Sequence, residues 1–138
     1  MGKMKLYTGP ALNALTIDTD RATLVMFPGY MLYPRQRIEL AENYAKRMNE
    51  GENLVILTQD DIIIRGIMLM VARRGISCDD VDIIYVGWKN NEPFEKKCAL
   101  CEDGRFEKRF PEDMFDMSYK ILCEIMSLNE ARIKREEE

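Results

Sequence analysis

Three groups of residues in this chain have types and spacing that could do chemistry. Cys98-x-x-Cys101 has the spacing of a zinc knuckle or a redox pair. Asp79, Asp80 and Asp82 bunch carboxylates that could hold magnesium, and Thr58-Gln59-Asp60 ends an apolar run on three polar side chains. A zinc knuckle needs a second pair of ligands, yet only Cys78 and Cys123 remain, without partner spacing, and the chain has 0 histidines. Residues three apart on a regular strand face opposite sides of the sheet, and a thioredoxin-type pair belongs at a helix N-terminus. The cysteines therefore read as small apolar core residues. The three aspartates precede an apolar run, whereas sites in α/β proteins gather after the strands, so a solvated turn explains them better than a nuclease centre. No metal site is expected.

The missing residue type excludes more than the present ones suggest. Without histidine, this chain contains no Ser-His-Asp triad, no His-ligated metal and no imidazole proton shuttle. It also has neither G-x-x-x-x-G-K-[ST] nor G-x-G-x-x-G, and its Gly2-Lys3 follows no strand, so a phosphate-cradling loop is absent.

The elements that would position these residues alternate. Thr23 to Phe27 (TLVMF) reads as a buried strand ended by Pro28-Gly29. Pro34 suits the first turn of a helix whose apolar positions are Ile38, Ala41, Ala45 and Met48, stopped at Gly51. Asn53 to Thr58 reads as a second buried strand. Asp60 and Asp61 then cap a helix running to about Arg74. Val81 to Trp88 is a third strand, Lys89 to Pro93 a polar turn and Phe94 to Cys101 a fourth strand. Asp103-Gly104 signals a hairpin into Arg105 to Phe110. Met114, Met117, Ile121, Ile125 and Leu128 mark an amphipathic helix over 113–134 with a charged tail. Residues 1–22 stay ambiguous, with a turn at Gly9-Pro10 and a short helix over ALNAL. The order implies an α/β fold: a mostly parallel sheet with flanking helices, a β-hairpin extension and a long C-terminal helix.

The 138 residues match one domain spanning 1–138, with 1–22 weakly assigned and 135–138 a frayed tail. A chain 46% hydrophobic and 32% charged can build a core. The net charge of −4 argues against broad nucleic-acid wrapping, so nucleic acid is met only indirectly. Four scattered cysteines do not form a secreted disulfide framework, and the apolar run from Ile62 to Ala72 is short and broken by Arg65. These features imply a cytoplasmic protein that does not enter membranes. Of the 10 methionines, Met68, Met70, Met114, Met117 and Met126 are expected to face the core.

The segment TLVMFPGYMLYPRQR resembles the strand-and-turn of the ABC-like AAA ATPases related to overcoming-lysogenisation-defect and RecF/SMC proteins. Their strand ends D-E-P-E-x-x-L-H-P, and Pro28 and Leu32-x-Pro34 match its spacing. LVILTQDDIII stands where that family has a strand ending T-H-S. Asp103-Gly104-Arg105-Phe106 and Phe110-Pro111-Glu112-Asp113-Met114-Phe115-Asp116 resemble its D-G-x…W-P-E-G-F-F-D ending. The resemblance covers about residues 20–118. TGPALNAL falls, more weakly, at the family's signature segment. It implies the C-terminal half of an ATPase head standing alone.

The resemblance also implies a lost active site. The family's magnesium-binding Asp falls at Met26, its catalytic Glu at Phe27, its next Glu at Gly29, and its two histidines at Tyr33 and Gln59. Met and Phe neither bind magnesium nor accept a proton, so no catalytic residue, cofactor or ATP hydrolysis is expected. The leading expectation is a non-enzymatic interaction or regulatory module. Its protein partner would be a full-length ATPase head or a second copy, contacted through Tyr30, Met31 and Tyr33 of the loop 28–33. The alternative is a nucleotide-binding subunit that completes an ATP site with a separate Walker A chain, through Thr58, Gln59 and Asp60.

Overall fold

The computed structural model of the chain describes residues 1–111 and 114–137. Five strands form one sheet: β1 (Met4–Thr8), β2 (Thr23–Met26), β3 (Leu54–Leu57), β4 (Val81–Lys89) and β5 (Glu92–Cys98). Their order is β2-β3-β1-β4-β5, with the first four parallel and β5 antiparallel to β4. The α/β architecture is therefore the one expected, with β1 added and the expected strand over 105–110 absent. β1 occupies the centre, within the segment the sequence left ambiguous. MKLYT hides because Lys5 breaks its apolar run, and Lys5 is exposed beside its register partner Asp82.

Helix α1 (Pro34–Asn49) joins β2 to β3, and α2 (Asp61–Ala72) joins β3 to β4. Both connections cross the sheet in one direction, whereas residues 9–22 cross it in the other, from β1 to β2. The right-handedness of such crossovers puts the helices on one face and the loop on the opposite one. Two clusters record this. Met4, Leu6, Ile56 and Ile83 pack with Ala41, Met48, Ile64 and Ile67 of the helices. Tyr7, Val55, Leu57 and Val86 pack with Ala11 and Leu12 of the loop. ALNAL contributes a single 3-10 turn over Leu12–Ala14.

The helices meet closely at Gly66, where a Cβ would lie 2.8 Å from the Ala41 Cβ. Asp60 caps α2 as its position suggested, its Oδ1 accepting from the Ile62 and Ile63 amides at 2.9 and 3.3 Å.

Several expectations are corrected. TLVMF is a strand, but not a buried one, because β2 lies at the sheet edge with Leu24 and Met26 exposed. The hairpin turn is Asn90-Asn91, between paired Lys89 and Glu92, and both asparagines take positive φ (51° and 62°), as a two-residue hairpin turn requires. Asp103-Gly104 does turn the chain, with Arg105 N donating to Asp103 Oδ1, but only an isolated bridge, Leu100 to Phe106, follows it. Residues 105–110 form no strand; Phe106 and Phe110 instead gather with Phe115 in an aromatic cluster.

The last helix, α3 (Met117–Glu137), starts later than expected and continues through most of the expected frayed tail. The expected start at Asp113 lies outside the described residues, as do Glu112 of the aromatic-proline-acid segment and Glu138 of the tail. No residue of α3 is buried. Met117 and Met126 are thus solvent-facing rather than core residues; Met114 and Met68 are half-buried against the core and Met70 is within it.

Candidate interaction surface

The parallel strands deliver their loops to one rim of the sheet. There β1 leads into Gly9, β2 into Phe27-Pro28-Gly29, and β3 into Thr58-Gln59-Asp60. Each polar side chain of the last group is engaged within the chain. The buried Thr58 Oγ1 accepts from the Asp60 amide at 3.0 Å. Gln59 Nε2 donates to the Gly9 carbonyl at 3.2 Å, bridging the loops that leave for opposite faces. Asp60 caps α2 with one oxygen and meets Arg37 Nη1 at 2.9 Å with the other. These three residues knit the rim and clamp the start of α1 to the start of α2.

Met26 closes β2 at this rim and Phe27 follows it. Both side chains are more than half exposed, and the Phe27 amide donates to the Leu57 carbonyl at 2.7 Å. The chain then turns, with Leu32 N donating to Gly29 O at 3.0 Å, and Gly29 and Met31 take positive φ (82° and 64°). The turn directs side chains outward: Tyr30, Met31 and Tyr33 are 83%, 85% and 80% exposed. The Arg37 stem packs beneath it, its Cγ 3.0 Å from where a Gly29 Cβ would stand. Exposure of Tyr30, Met31 and Tyr33 was legible in the sequence as a loop after a strand. Leu24, Met26 and Phe27 were missed, because only the position of β1 makes β2 an edge.

A charged clamp holds the other end of β2. Glu52 accepts from Arg47 Nε and Nη2 at 2.7 and 2.6 Å and from Thr23 Oγ1 at 2.8 Å. Those bonds to its charged form lower the Glu52 carboxyl to about 2. The edge strand is thereby tied to the end of α1.

The other candidate groups lie elsewhere and have internal partners. Asp80 meets Lys3 Nζ at 2.6 Å and Asp82 meets Lys97 Nζ at 2.9 Å, raising both lysines, while the Asp79 amide donates to Ser77 Oγ. Asp79 and Asp80 sit just before β4 and Asp82 is its second residue, at the end of the sheet away from the rim. Cys98 is buried at the end of β5, its thiol pushed up by desolvation. Cys101 lies beyond the strand, so strand alternation does not govern the pair. Among the described residues no three His, Cys, Asp or Glu side chains are grouped to hold a metal. Nor is any helix there long and apolar enough to cross a membrane. Comparison of the chain with family models, with curated proteins and with solved structures gives no match in any of the three.

Proposed function

We propose that this chain is a non-enzymatic interaction module that binds a protein partner along the edge formed by β2 and the loop 28–33. The observation that carries the reading is the outward display of Tyr30, Met31 and Tyr33 beside Leu24, Met26 and Phe27, on a strand whose second edge has no strand beside it among the described residues. Tyr and Met are residue types enriched in the cores of protein interfaces, and an unpaired strand edge offers backbone hydrogen bonds. The resemblance in Thr23–Arg37 points to an ATPase head as that partner, with the surviving scaffold competing or cooperating for a head's own contact face.

Internal engagement of Thr58, Gln59 and Asp60 favours this reading over a nucleotide-binding subunit. Two measurements test it. Purified chain is titrated calorimetrically against a purified full-length ATPase head from the same source. Binding that weakens at least ~10-fold in the Tyr30→Ser, Met31→Ser, Tyr33→Ser triple variant is expected, since interface anchors carry about 1 kcal/mol or more each. Undiminished binding by the variant would sink the site, and no binding at all would sink the partner. Phosphate release from ATP is then followed with and without magnesium. The expectation is none, and turnover abolished by Asp60→Ala would overturn the non-enzymatic reading.

A further inference from the structure

The edge of the sheet opposite β2 is formed by β5, and the chain that follows β5 folds back there onto α2. Gly104 permits the approach: a Cβ at that position would stand 2.9 Å from the Ala72 Cβ, so glycine is what lets the backbone pass this close to the helix. Two backbone bonds then fix the return, Cys101 N donating to Arg105 O at 2.7 Å and Glu107 N to Ala99 O at 2.9 Å. The segment laid down in this way, Arg105-Phe106-Glu107-Lys108-Arg109-Phe110, sets three cations against one carboxylate in a chain whose net charge is −4. Two hollows open along it. The larger, about 420 Å³, is lined by Arg65 and Met68 of α2 and by Phe106, Lys108, Arg109 and Phe110. The smaller, about 140 Å³, is lined by Lys96 and Lys97 of β5 and shares Glu107, Lys108 and Arg109 with the first.

We infer that the two hollows form one groove that binds single-stranded nucleic acid. Charge gives the sign of the ligand. Arg105 is paired with Asp103 at 2.7 Å and Lys97 with Asp82 at 2.9 Å. Arg65, Lys96, Lys108 and Arg109 are exposed and form no salt bridge among the described residues, and the carboxylate beside them is Glu107. Like charges gathered on one surface repel each other, and a bound anion relieves that repulsion. The floor selects which anion. Phe106 and Phe110 are half-buried and packed with Phe115 at centroid distances of 5.0 to 5.8 Å, and the Arg65 guanidinium lies 4.4 Å from the Phe115 centre. Fixed flat rings among cations suit a ligand that alternates phosphates with flat bases, which stack on aromatic side chains. An acidic peptide would satisfy the cations but leave the rings without a flat partner, and a duplex keeps its bases stacked on each other. Two hollows in succession, joined by Lys108 and Arg109, fit a strand of a few nucleotides better than one free nucleotide. The net charge of −4 opposes wrapping of long nucleic acid, whereas four cations need to neutralise only a few phosphates. Binding at the β5 edge leaves β2 and the loop 28–33 free for the proposed protein partner.

The experiment is fluorescence anisotropy of a labelled single-stranded DNA of about 12 nucleotides, titrated with the full chain at low salt. Binding is expected, with log affinity falling against log salt at a slope of roughly −3, about 0.7 for each of four phosphates. Lys108→Ala combined with Arg109→Ala should weaken it at least ~10-fold, while the urea transition of the sheet, read from Trp88 fluorescence, keeps its midpoint. The rings are tested from the ligand side, without disturbing their packing. An abasic strand with the same phosphates should bind at least ~10-fold more weakly, because each stacked base contributes about that factor or more. No binding by the wild-type chain, or undiminished binding by the double variant, overturns the groove. Equal binding of the abasic strand, or of an oligoglutamate peptide of the same charge, overturns nucleic acid as the ligand and assigns the cations to an acidic protein segment. The Tyr30, Met31 and Tyr33 triple variant should bind the strand as the wild type does, so this outcome is independent of the partner surface.

Discussion

Helices α2 and α3 are both amphipathic, yet α2 buries Ile63, Ile64, Ile67, Met70 and Val71 while α3 buries nothing. The difference lies in how each is tethered. α2 is held at both ends by short connections to strands, so its apolar stripe can only close over the sheet, against Ala41 and its neighbours on α1. α3 follows the Phe106, Phe110 and Phe115 cluster, where the Arg65 guanidinium lies 4.4 Å from the Phe115 ring centre, and none of its own side chains is buried. A periodic stripe states that a face wants cover. Connectivity decides whether the same chain can supply it.

The largest expected effect sharpens that contrast. Ile67 is fully buried, so Ile67→Ala should destabilise the body by about 3 to 4 kcal/mol through lost transfer energy and the residual cavity. Ile125→Ala deletes comparable atoms from α3 and should shift the same urea transition by no more than about 0.5 kcal/mol. Equal shifts would mean that α3 packs on the body in solution. The tethering of α2 is tested next by Asp60→Ala, which removes the cap and the partner of Arg37. A loss of about 1 to 2 kcal/mol is expected, with Asp60→Asn recovering the part owed to capping. A loss that Asn does not recover would assign the effect to Arg37 alone.

The smallest effect concerns the edge strand. Glu52 is held near 2 in the folded chain against an ordinary 4.5, so its stabilisation is complete above about 4.5 and fades as pH falls towards 2. Glu52→Gln should flatten that part of the stability–pH profile, an effect that salt weakens because the group is partly open to solvent. An unchanged profile would show that Arg47 and Thr23 do not hold β2 in solution.

Much of the body was legible because local chemistry agreed with its final packing. Pro34 and Gly51 bracket α1, Asp60 starts α2, and the continuous apolar run of LVIL is a strand buried on both faces. β1 was not legible, since a five-residue strand interrupted by Lys5 carries little periodic signal. The loop of the candidate surface was read correctly as exposed, while Leu24 and Met26 were assigned to a core they do not enter.

The sequence by itself determined most of the elements, though not β1, that no histidine or phosphate loop serves them, and that a long helix would present an apolar face. Those properties follow from side-chain chemistry and from repeats of two or three to four residues, which are local. Only the tertiary structure decided that β1 is central, that β2 is therefore an edge, that Gln59 spends its amide on Gly9, and that α3 stands away from the sheet. Strand order and helix docking are pairings between residues far apart in the chain. No window of sequence contains both partners, so neighbours on the sheet, rather than neighbours along the chain, set which apolar side chains are left for a partner.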